Sequence, residues 1–382
     1  MHDRYLERIR SLCSLSLRRL PRMVDPRTGL VVFRVDGPDL VPSGTSVRYT
    51  AMTALGIERA ESAGLPNHLD LGRLDRALDA ALPAIDNSGD LGLVLWATAR
   101  RNRGLAERAL LELVEFGPLT QRRGGVAFHS TELAWVATGL AGALAEGIGD
   151  ERIVRLRLDD AWRRLLANRG DSGMLAFARS HAAPSLRGRL RSELGFFDAQ
   201  AYGIVAALRR YELLGDDEAL AVARTLGRHI LRHQRGEGQW AWHYNARTGE
   251  LVDLYPVYSV HQDGMAPMAL LSLERLAGIP TRDAVAHGLE WLFSYNELGV
   301  AMANTGRDTI WRSIRRRSPL RRIVFPLKAI SLAGVGSGLD LGTRAASPSM
   351  LEIDREFRPY HLGFCLYAFA ELAAARAERR AA

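Results

Sequence analysis

The sequence predicts an all-α chain folded as an (α/α)6 toroid, a barrel of six helical hairpins carrying a short N-terminal β-hairpin arm. Three observations lead there. First, six helix starts place aromatic, histidine, arginine or carboxylate side chains ahead of small apolar residues. They are Ser46-Val-Arg48-Tyr49, Ser88-Gly-Asp90, Phe128-His129-Ser-Thr-Glu132, Phe196-Phe197-Asp198-Ala-Gln200-Ala-Tyr202, Tyr258-Ser-Val-His261-Gln262-Asp263 and Arg358-Pro-Tyr360-His361. Second, charged amphipathic stretches alternate with these apolar ones. Third, glycine-then-aromatic turns follow the amphipathic stretches, as in Gly124 to Phe128, Ser172 to Phe177 and Gly236 to Trp242. Helical pairs that bury a shared face build an array or a closed ring. The uneven repeat spacing, widest before the last apolar helix, argues against an open solenoid.

Residues 3–20 read as an amphipathic helix with Leu6, Ile9, Cys13 and Leu17 on one face. Flanking arginines suit a membrane-surface or partner helix, but a helix that closes the ring is the favoured reading. Val31 to Val35 is short and β-branched between glycines, which predicts an extended hairpin arm. From residue 46 the helices come in pairs. Leu91–Thr98, Leu133–Ala145 and Met265–Leu273 are apolar nearly all round and belong inside. Stretches at about 69–84, 104–116, 150–167, 216–234 and 281–293 are amphipathic and belong outside. Acid-rich starts such as Gly149-Asp150-Glu151 and Gly215-Asp216-Asp217-Glu218 complement the positive helix end. The organisation is thus residues 1–45 as helix and arm, and residues 46–382 as toroid with an insertion at about 304–350. That insertion holds an arginine-rich run, Trp311 to Arg322, and a glycine-rich run, Gly334 to Gly342. The former reads as a basic flap that grips an anionic substrate or nucleic acid, or as a solvated loop.

Composition excludes several classes. A hydrophobic share of 47% supplies a large core. The net charge of +8 suggests a polyanionic partner. However, Lys328 is the only lysine, so arginine usage reflects a GC-rich coding sequence, and aromatic interleaving is too thin for a base-stacking surface. No nucleic-acid partner is expected. Arg8, Arg10, Arg18 and Arg19 interrupt the apolar N-terminal residues, so no signal peptide is expected. The longest apolar run, Leu133 to Ala145, is too short for a transmembrane segment. Cytoplasmic localisation is the default expectation, and homodimeric assembly stays open. Cys13 and Cys365 lack metal-type spacing and read as buried thiols. There is no phosphate loop, no dinucleotide glycine motif and no nucleophile elbow. No cofactor and no metal are expected, and His229 and His233, four apart on an outer helix, read as a solvated face.

Inner helices of a toroid run in one direction, so their first turns ring one cavity. The expected catalytic residues there are His129, Glu132, His261, Asp263 and His361. Substrate-binding residues are expected to be Arg48, Tyr49, Asp198, Gln200, Tyr202, Trp240, Trp242, Tyr258, Gln262, Arg358 and Tyr360. His129 and Glu132 share a helix face, and a carboxylate beside an imidazole suits a general acid or base. A helix-capping arrangement is the alternative. Tyr255 to Met265 is the densest polar stretch on an otherwise apolar helix, either a site or a buried network. Trp240, Trp242, His243 and Tyr244 form an aromatic rim suited to sugar rings or to packing. Pro359 fits the first turn of the last inner helix and sets Arg358 and His361 at the rim.

Short stretches resemble known families. Arg358-Pro-Tyr-His361 is similar to the last inner helix of N-acylglucosamine and cellobiose 2-epimerases, which carry a Lys-x-Pro-Tyr-His-like segment with a catalytic histidine. His129-Ser-Thr-Glu132-Leu-Ala-Trp135 resembles their His-x-x-Glu-x-x-Trp segment, though here it falls on the third inner helix rather than later. Arg48 occupies a place like their first-helix arginine. Tyr258 to Gly264 resembles the Tyr-Ser-x-x-x-Gln-Gly-like helix start of glucuronyl C5-epimerases. The resemblance as a whole is to six-hairpin carbohydrate-active toroids.

What the resemblance and the rim imply is a carbohydrate-active enzyme with a saccharide or glycan substrate. A sugar epimerase or lyase working by His, Tyr and Glu proton transfer is the first expectation, with arginines stabilising charge. A glycoside hydrolase is the second, with Asp198, Asp263 and Glu132 as carboxylate candidates. A non-catalytic toroidal binding module is the third. Gly238-Gln-Trp240 resembles the aromatic repeats of triterpene cyclases, but this chain lacks their Asp-x-Asp-Asp acid, which argues against a terpenoid cyclase.

Overall fold

A computed structural model of the chain describes residues 2–115, 129–178, 193–317 and 345–375. In chain order the helices are α1 (His2–Arg19), α2 (Val47–Ser62), α3 (Leu71–Ala81), α4 (Ser88–Thr98), α5 (Arg103–Glu115) and α6 (Ser130–Ala145). Then come α7 (Glu151–Ala167), α8 (Phe197–Leu214), α9 (Asp217–Arg232), α10 (Ala266–Ala277), α11 (Arg282–Leu292) and α12 (Pro359–Ala374). A π-helical turn, His261–Met265, leads into α10. The fold is an all-α toroid. The even-numbered helices form its inner wall, each packed on the next, and α12 returns to pack on α2. Behind them stand α3, α5, α7, α9 and α11, each against the inner helix of its own hairpin.

The sixth outer helix is α1, which packs against α12. Its apolar face, Ile9, Leu12 and Cys13, is buried there, so it closes the ring rather than meeting a membrane. This brings Cys13 beside Cys365, both as buried free thiols. Among the described residues no helix is long and apolar enough to cross a membrane.

Glycines let the inner helices touch backbone to backbone. A Cβ on Gly56 would lie 2.1 Å from the Gly363 carbonyl oxygen, and one on Gly139 would lie 2.3 Å from that of Gly92. These approaches join α2 to α12 and α4 to α6. The outer helices begin as their acid-rich starts predict: Asp150 and Asp216 accept from the backbone N–H of Ile153 and Ala219, each at 3.0 Å. Gly215 and Gly278 end α8 and α10 in the left-handed conformation, at φ 66° and 68°.

Short strands collect where the inner helices begin. Strands β1 (Val32–Asp36) and β2 (Val41–Thr45) form the expected hairpin arm. A second sheet joins β3 (Leu194–Phe196), β4 (His243–Asn245) and β5 (Leu251–Asp253). Strands β6 (Val257–Tyr258), β7 (Ala303–Asn304), β8 (Thr309–Ile310), β9 (Ser313–Arg316), β10 (Leu351–Asp354) and β11 (Glu356–Phe357) complete the set. β11 pairs with β1, and β9 lies between β6 and β10. Thus β2, β3, β6 and β11 each run directly into an inner helix start, and the sheets fix those starts relative to one another.

Three of the described insertion arginines are paired with carboxylates, whereas Arg307 and Arg317 donate to the Pro38 and Ser349 carbonyls. Arg316 meets the buried Asp253 at 2.6 Å, Arg315 meets Asp354 at 2.7 Å, and Arg312 meets Glu356 at 3.0 Å. They pin strands together rather than forming the open basic flap. Arg321, Arg322, the glycine run from Gly334, and the Gly124–Phe128 turn lie outside the described residues. His233 also departs from expectation: it is buried and contacts the Gly249 carbonyl oxygen at 2.6 Å. With His229 on the Ser172 carbonyl at 3.0 Å, the pair braces two turns because the outer-helix face is covered by the β4–β5 hairpin.

Replacing Gly56 by Ala forces α2 and α12 apart and is expected to cost about 1–3 kcal/mol, read as a lower urea midpoint. Gly104→Ala on α5 meets nothing closer than 3.8 Å and is expected to be neutral or slightly stabilising.

Candidate active site

The first turns of α2, α4, α6 and α8 place one continuous polar wall. Ser46 caps α2, accepting from the Tyr49 N–H, and Asn87 caps α4, accepting from the Asp90 N–H at 2.8 Å. These caps orient Arg48 and Asp90 toward each other. The Arg48 Nε donates to Asp90 Oδ1 at 2.7 Å, and its Nη2 lies 4.0 Å from Glu132 Oε1. His129 Nε2 is 3.2 Å from the same Glu132 oxygen. Arg48 also lies over the Trp135 ring, 4.8 Å from its centroid. On the next helix, Asp198 accepts from the Thr131 hydroxyl at 3.1 Å and from the Ala199 N–H at 2.8 Å. Three carboxylates from successive inner helices therefore surround one guanidinium and one imidazole.

Asp198 is the group whose acidity the site alters most usefully. Burial raises its pKa; the charges of His129 and Arg48 and the hydrogen bonds from Ala199 and Thr131 oppose that without cancelling it. A carboxyl kept more basic than usual suits a general acid.

The starts of α10 and α12 supply the facing wall. Arg358 donates from Nη1 to the Tyr49 hydroxyl at 2.7 Å and pairs with Glu356. Glu356 is shared with Arg312, whose guanidinium lies 5.2 Å from the Tyr258 ring centroid. Tyr49 packs against Tyr360 at 4.6 Å and stacks on Phe33 at 5.4 Å. His261 is stacked between Phe197 at 4.3 Å and Trp242 at 5.3 Å, with Tyr258 edge-on. Trp242, in turn, meets Phe196, and Phe177 stacks on His129 at 4.8 Å. Burial pushes the His261 imidazole down to about 3 despite a contact to the Trp240 carbonyl. His361, buried with neither ring nitrogen hydrogen-bonded, is likewise held neutral, by burial first and then by Arg312 and Arg358.

The inner helix starts, with Trp242 from the loop before β4, therefore bring together Arg48, Tyr49, His129, Glu132, Asp198, Trp242, Tyr258, His261, Arg358, Tyr360 and His361. Tyr202 lies beneath them, edge-on to Trp135 at 5.2 Å. Four other expected residues are engaged elsewhere. Gln200 spends its amide on backbone, accepting from Leu175 N–H at 2.9 Å and donating to Leu175 and Phe196 carbonyls. Trp240 is fully buried and donates to the Ile230 carbonyl at 3.0 Å. Gln262 donates to the Tyr258 carbonyl at 3.2 Å, inside the wall. Asp263 is buried on the side of its helix that faces Cys365, and burial raises its pKa well above the usual range.

Sequence reading passed over Asp90, Thr131, Phe177 and Arg312. Asp90 had a signal, since it sits in an inner helix first turn like the others. Arg312 had only its place in an arginine-rich run. A cavity of about 450 Å³ opens beside Arg48 and Asp90, bounded by Phe33, Tyr49, Ile85 and Asn87. Among the described residues no group of histidine, cysteine and carboxylate side chains could hold a metal ion.

The architecture that delivers these residues defines the chain as a six-hairpin toroid of the kind found in glycosidases. No family model matches the sequence, and no curated protein matches it. Solved structures do match in fold. One is an unsaturated glucuronyl hydrolase specific for heparin, with TM-score 0.59, 15% identity and 98% of each chain covered. Another is a variant unsaturated glucuronyl hydrolase from Streptococcus agalactiae complexed with dGlcA-GalNAc6S, with TM-score 0.57, 12% identity, and 96% of this chain and 91% of that chain covered. A third is a glycosidase variant in complex with glucose, with TM-score 0.57, 13% identity, and 97% and 98% covered.

The buried neutral His261 sets a pH dependence. Its folded pKa is depressed, so unfolding takes up a proton below pH 6.5, and its stabilising contribution is full above that and lost as pH falls toward 3. In His261→Phe, the acid-side slope of unfolding free energy is expected to be shallower than in the parent by up to about 1.4 kcal/mol per pH unit. Urea titrations at pH 4, 5, 6 and 7 compare the two slopes.

Proposed function

We propose that this chain is a glycoside hydrolase that removes a terminal uronyl unit, with an unsaturated uronyl as the preferred one, from an acidic oligosaccharide. The single observation that carries the reading is the grouping of Asp90, Glu132 and Asp198 around Arg48 and His129 on three successive inner helix starts. Hydrolysis of a glycoside needs one carboxyl that gives a proton and another that activates water or stabilises positive charge. Asp198, whose pKa burial raises, is the acid. Glu132, oriented by His129 and drawn toward Arg48, is the partner carboxylate. Asp90 holds Arg48 in place. The sugar ring lies against Trp242 and Tyr258, and its carboxylate faces Arg358, whose Nη1 and Tyr49 partner present donors at the rim. The 450 Å³ cavity beside Arg48 receives the leaving sugar.

The shared fold with unsaturated glucuronyl hydrolases supports the substrate class. For an unsaturated uronyl end, Asp198 gives its proton to the C4 carbon of the C4–C5 double bond while water adds at C5. The water gives its proton to Glu132; the resulting C5 hemiketal opens to a ketone, and the hemiacetal this leaves at C1 collapses to an aldehyde, breaking the bond to the remaining saccharide and releasing it. For a saturated end, the same proton goes to the glycosidic oxygen. Epimerisation or elimination by the His129–Glu132 pair is the second reading, favoured by their 3.2 Å contact.

Incubating the protein with unsaturated and saturated uronyl disaccharides separates these chemistries. The expected outcome is release of the reducing-end sugar with loss of the double-bond ultraviolet absorbance. Deuterium exchange into a sugar that stays intact would instead favour the proton-transfer reading. Asp198→Asn is expected to lower kcat by about 10²–10⁴ with an unchanged far-ultraviolet dichroism spectrum. As an acid, Asp198 must be protonated, so parent activity falls as pH rises through its raised pKa. Arg48→Met is expected to lose turnover, measured on the same substrates, and some stability, because Asp90 and the buried Glu132 lose their cationic neighbour.

A further inference from the structure

The opposite mouth of the barrel, where the six inner helices end, holds a cavity of about 1040 Å³ that the proposed reaction does not use. We propose that this far mouth is a second binding site, and that its ligand is a neutral saccharide of one or two rings. Its inner face is aromatic: Trp96 and Tyr367 meet edge to face with centroids 5.7 Å apart. Trp96 is buried, although it borders an open cavity. Arg59 lies over the Tyr367 ring, 4.9 Å from the centroid. Burial would raise the Tyr367 pKa, but the charges and hydrogen bonds of Arg209 and Arg59 outweigh it and lower it. Two guanidiniums therefore converge on one phenolic oxygen at the edge of the cavity.

The chemistry selects the ligand class. Five arginines and five glutamates line the cavity among the described residues, so the lining has no net formal charge and gives no advantage to a charged ligand. The charges are also matched locally. Arg59 donates to Glu371 at 2.9 Å, Arg275 and Arg209 share Glu212 at 3.0 and 3.3 Å, and Arg282 meets Glu274 at 2.7 Å. Arginine only donates and ionised glutamate only accepts, whereas a sugar hydroxyl does both. A ring of alternating fixed donors and acceptors around two aromatic side chains thus matches a polyol with one apolar face. Part of this arginine content also complements the negative ends of the inner helices. That role does not require a cavity, and helix ends alone would be satisfied by closed packing. The volume is that of a site for a small molecule, typically about 300–1,000 Å³.

Maltose and cellobiose, two neutral disaccharides, are the probes. Binding is measured on the full chain by calorimetry, with Asp198→Asn and Arg48→Met as variants of the near mouth. Arg209→Met removes one donor from the far mouth. Ser272→Trp fills the cavity from α10, and covers the case in which Arg209→Met fails to fold. The expected result is binding that survives both near-mouth changes and weakens at least about tenfold in each folded far-mouth variant. Binding should also change little between low and high salt, and glucuronate should bind no better than glucose. The proposal is overturned if neither disaccharide binds, if binding is lost in Arg48→Met and kept in Ser272→Trp, or if the anionic sugar binds far more tightly with a steep salt dependence. It stands apart from the hydrolase reading, because inactivity on uronyl disaccharides leaves these far-mouth outcomes unchanged.

Discussion

Closure of the inner ring is the constraint on which the rest of this structure depends. α12 must return to α2, and it does so through a contact with no room for a side chain, where Gly56 meets the Gly363 carbonyl. Gly92 and Gly139 make a similar approach between α4 and α6. Close packing of backbones draws six helix starts into a mouth narrow enough for residues from different helices to share charges. Arg48 from α2 can pair with Asp90 from α4 and approach Glu132 from α6 only because the ring is this tight. Interiors of this density respond to single added methyl groups, so ring closure and site geometry are one property.

The small sheets carry out a second task. A helix start is the least regular part of a helix, with four unsatisfied N–H groups. Here four of the six starts are fed directly by strands, and each of those strands is held in a small sheet. β11 pairs with β1, and β6 pairs with β9. The buried Arg316–Asp253 ion pair then joins the second sheet to the third. Arginines that read as a basic flap are thereby spent on holding the mouth together. A barrel with this frame can place charged groups in low-dielectric surroundings, where their interactions are strong and their pKa values move.

Much of the fold was legible because it rests on periodicity. Leu133 to Ala145 is apolar all round and lies inside; residues 150–167 are amphipathic and lie outside, at Glu151–Ala167. Capping acids at Asp150 and Asp216 marked helix starts to within a residue or two, because a cap is a local interaction. The site was legible in part. Arg48, His129, Glu132, Asp198 and His361 fall in first turns that the fold aims inward. Gln200, Trp240, Gln262 and Asp263 occupy equally polar or aromatic first turns and loops, yet their side chains meet backbone carbonyls or the outer layer. A helix repeat of 3.6 residues puts neighbours in one turn on different faces, and the π-helical turn at His261–Met265 shifts that phase by another residue. No sequence pattern announced that shift.

The sequence by itself determined the alternation of inner and outer helices, the number of hairpins and the polar character of the helix starts, since each follows from residue spacing within one segment. Only the tertiary structure decided that α1 backs α12 as the sixth outer helix, that Asp90 belongs beside Arg48, and that Asp263 faces a pair of buried thiols instead of the mouth. Those outcomes depend on contacts between segments far apart in the chain and on which face of each helix the closed ring turns inward, and neither is encoded in any single stretch of residues.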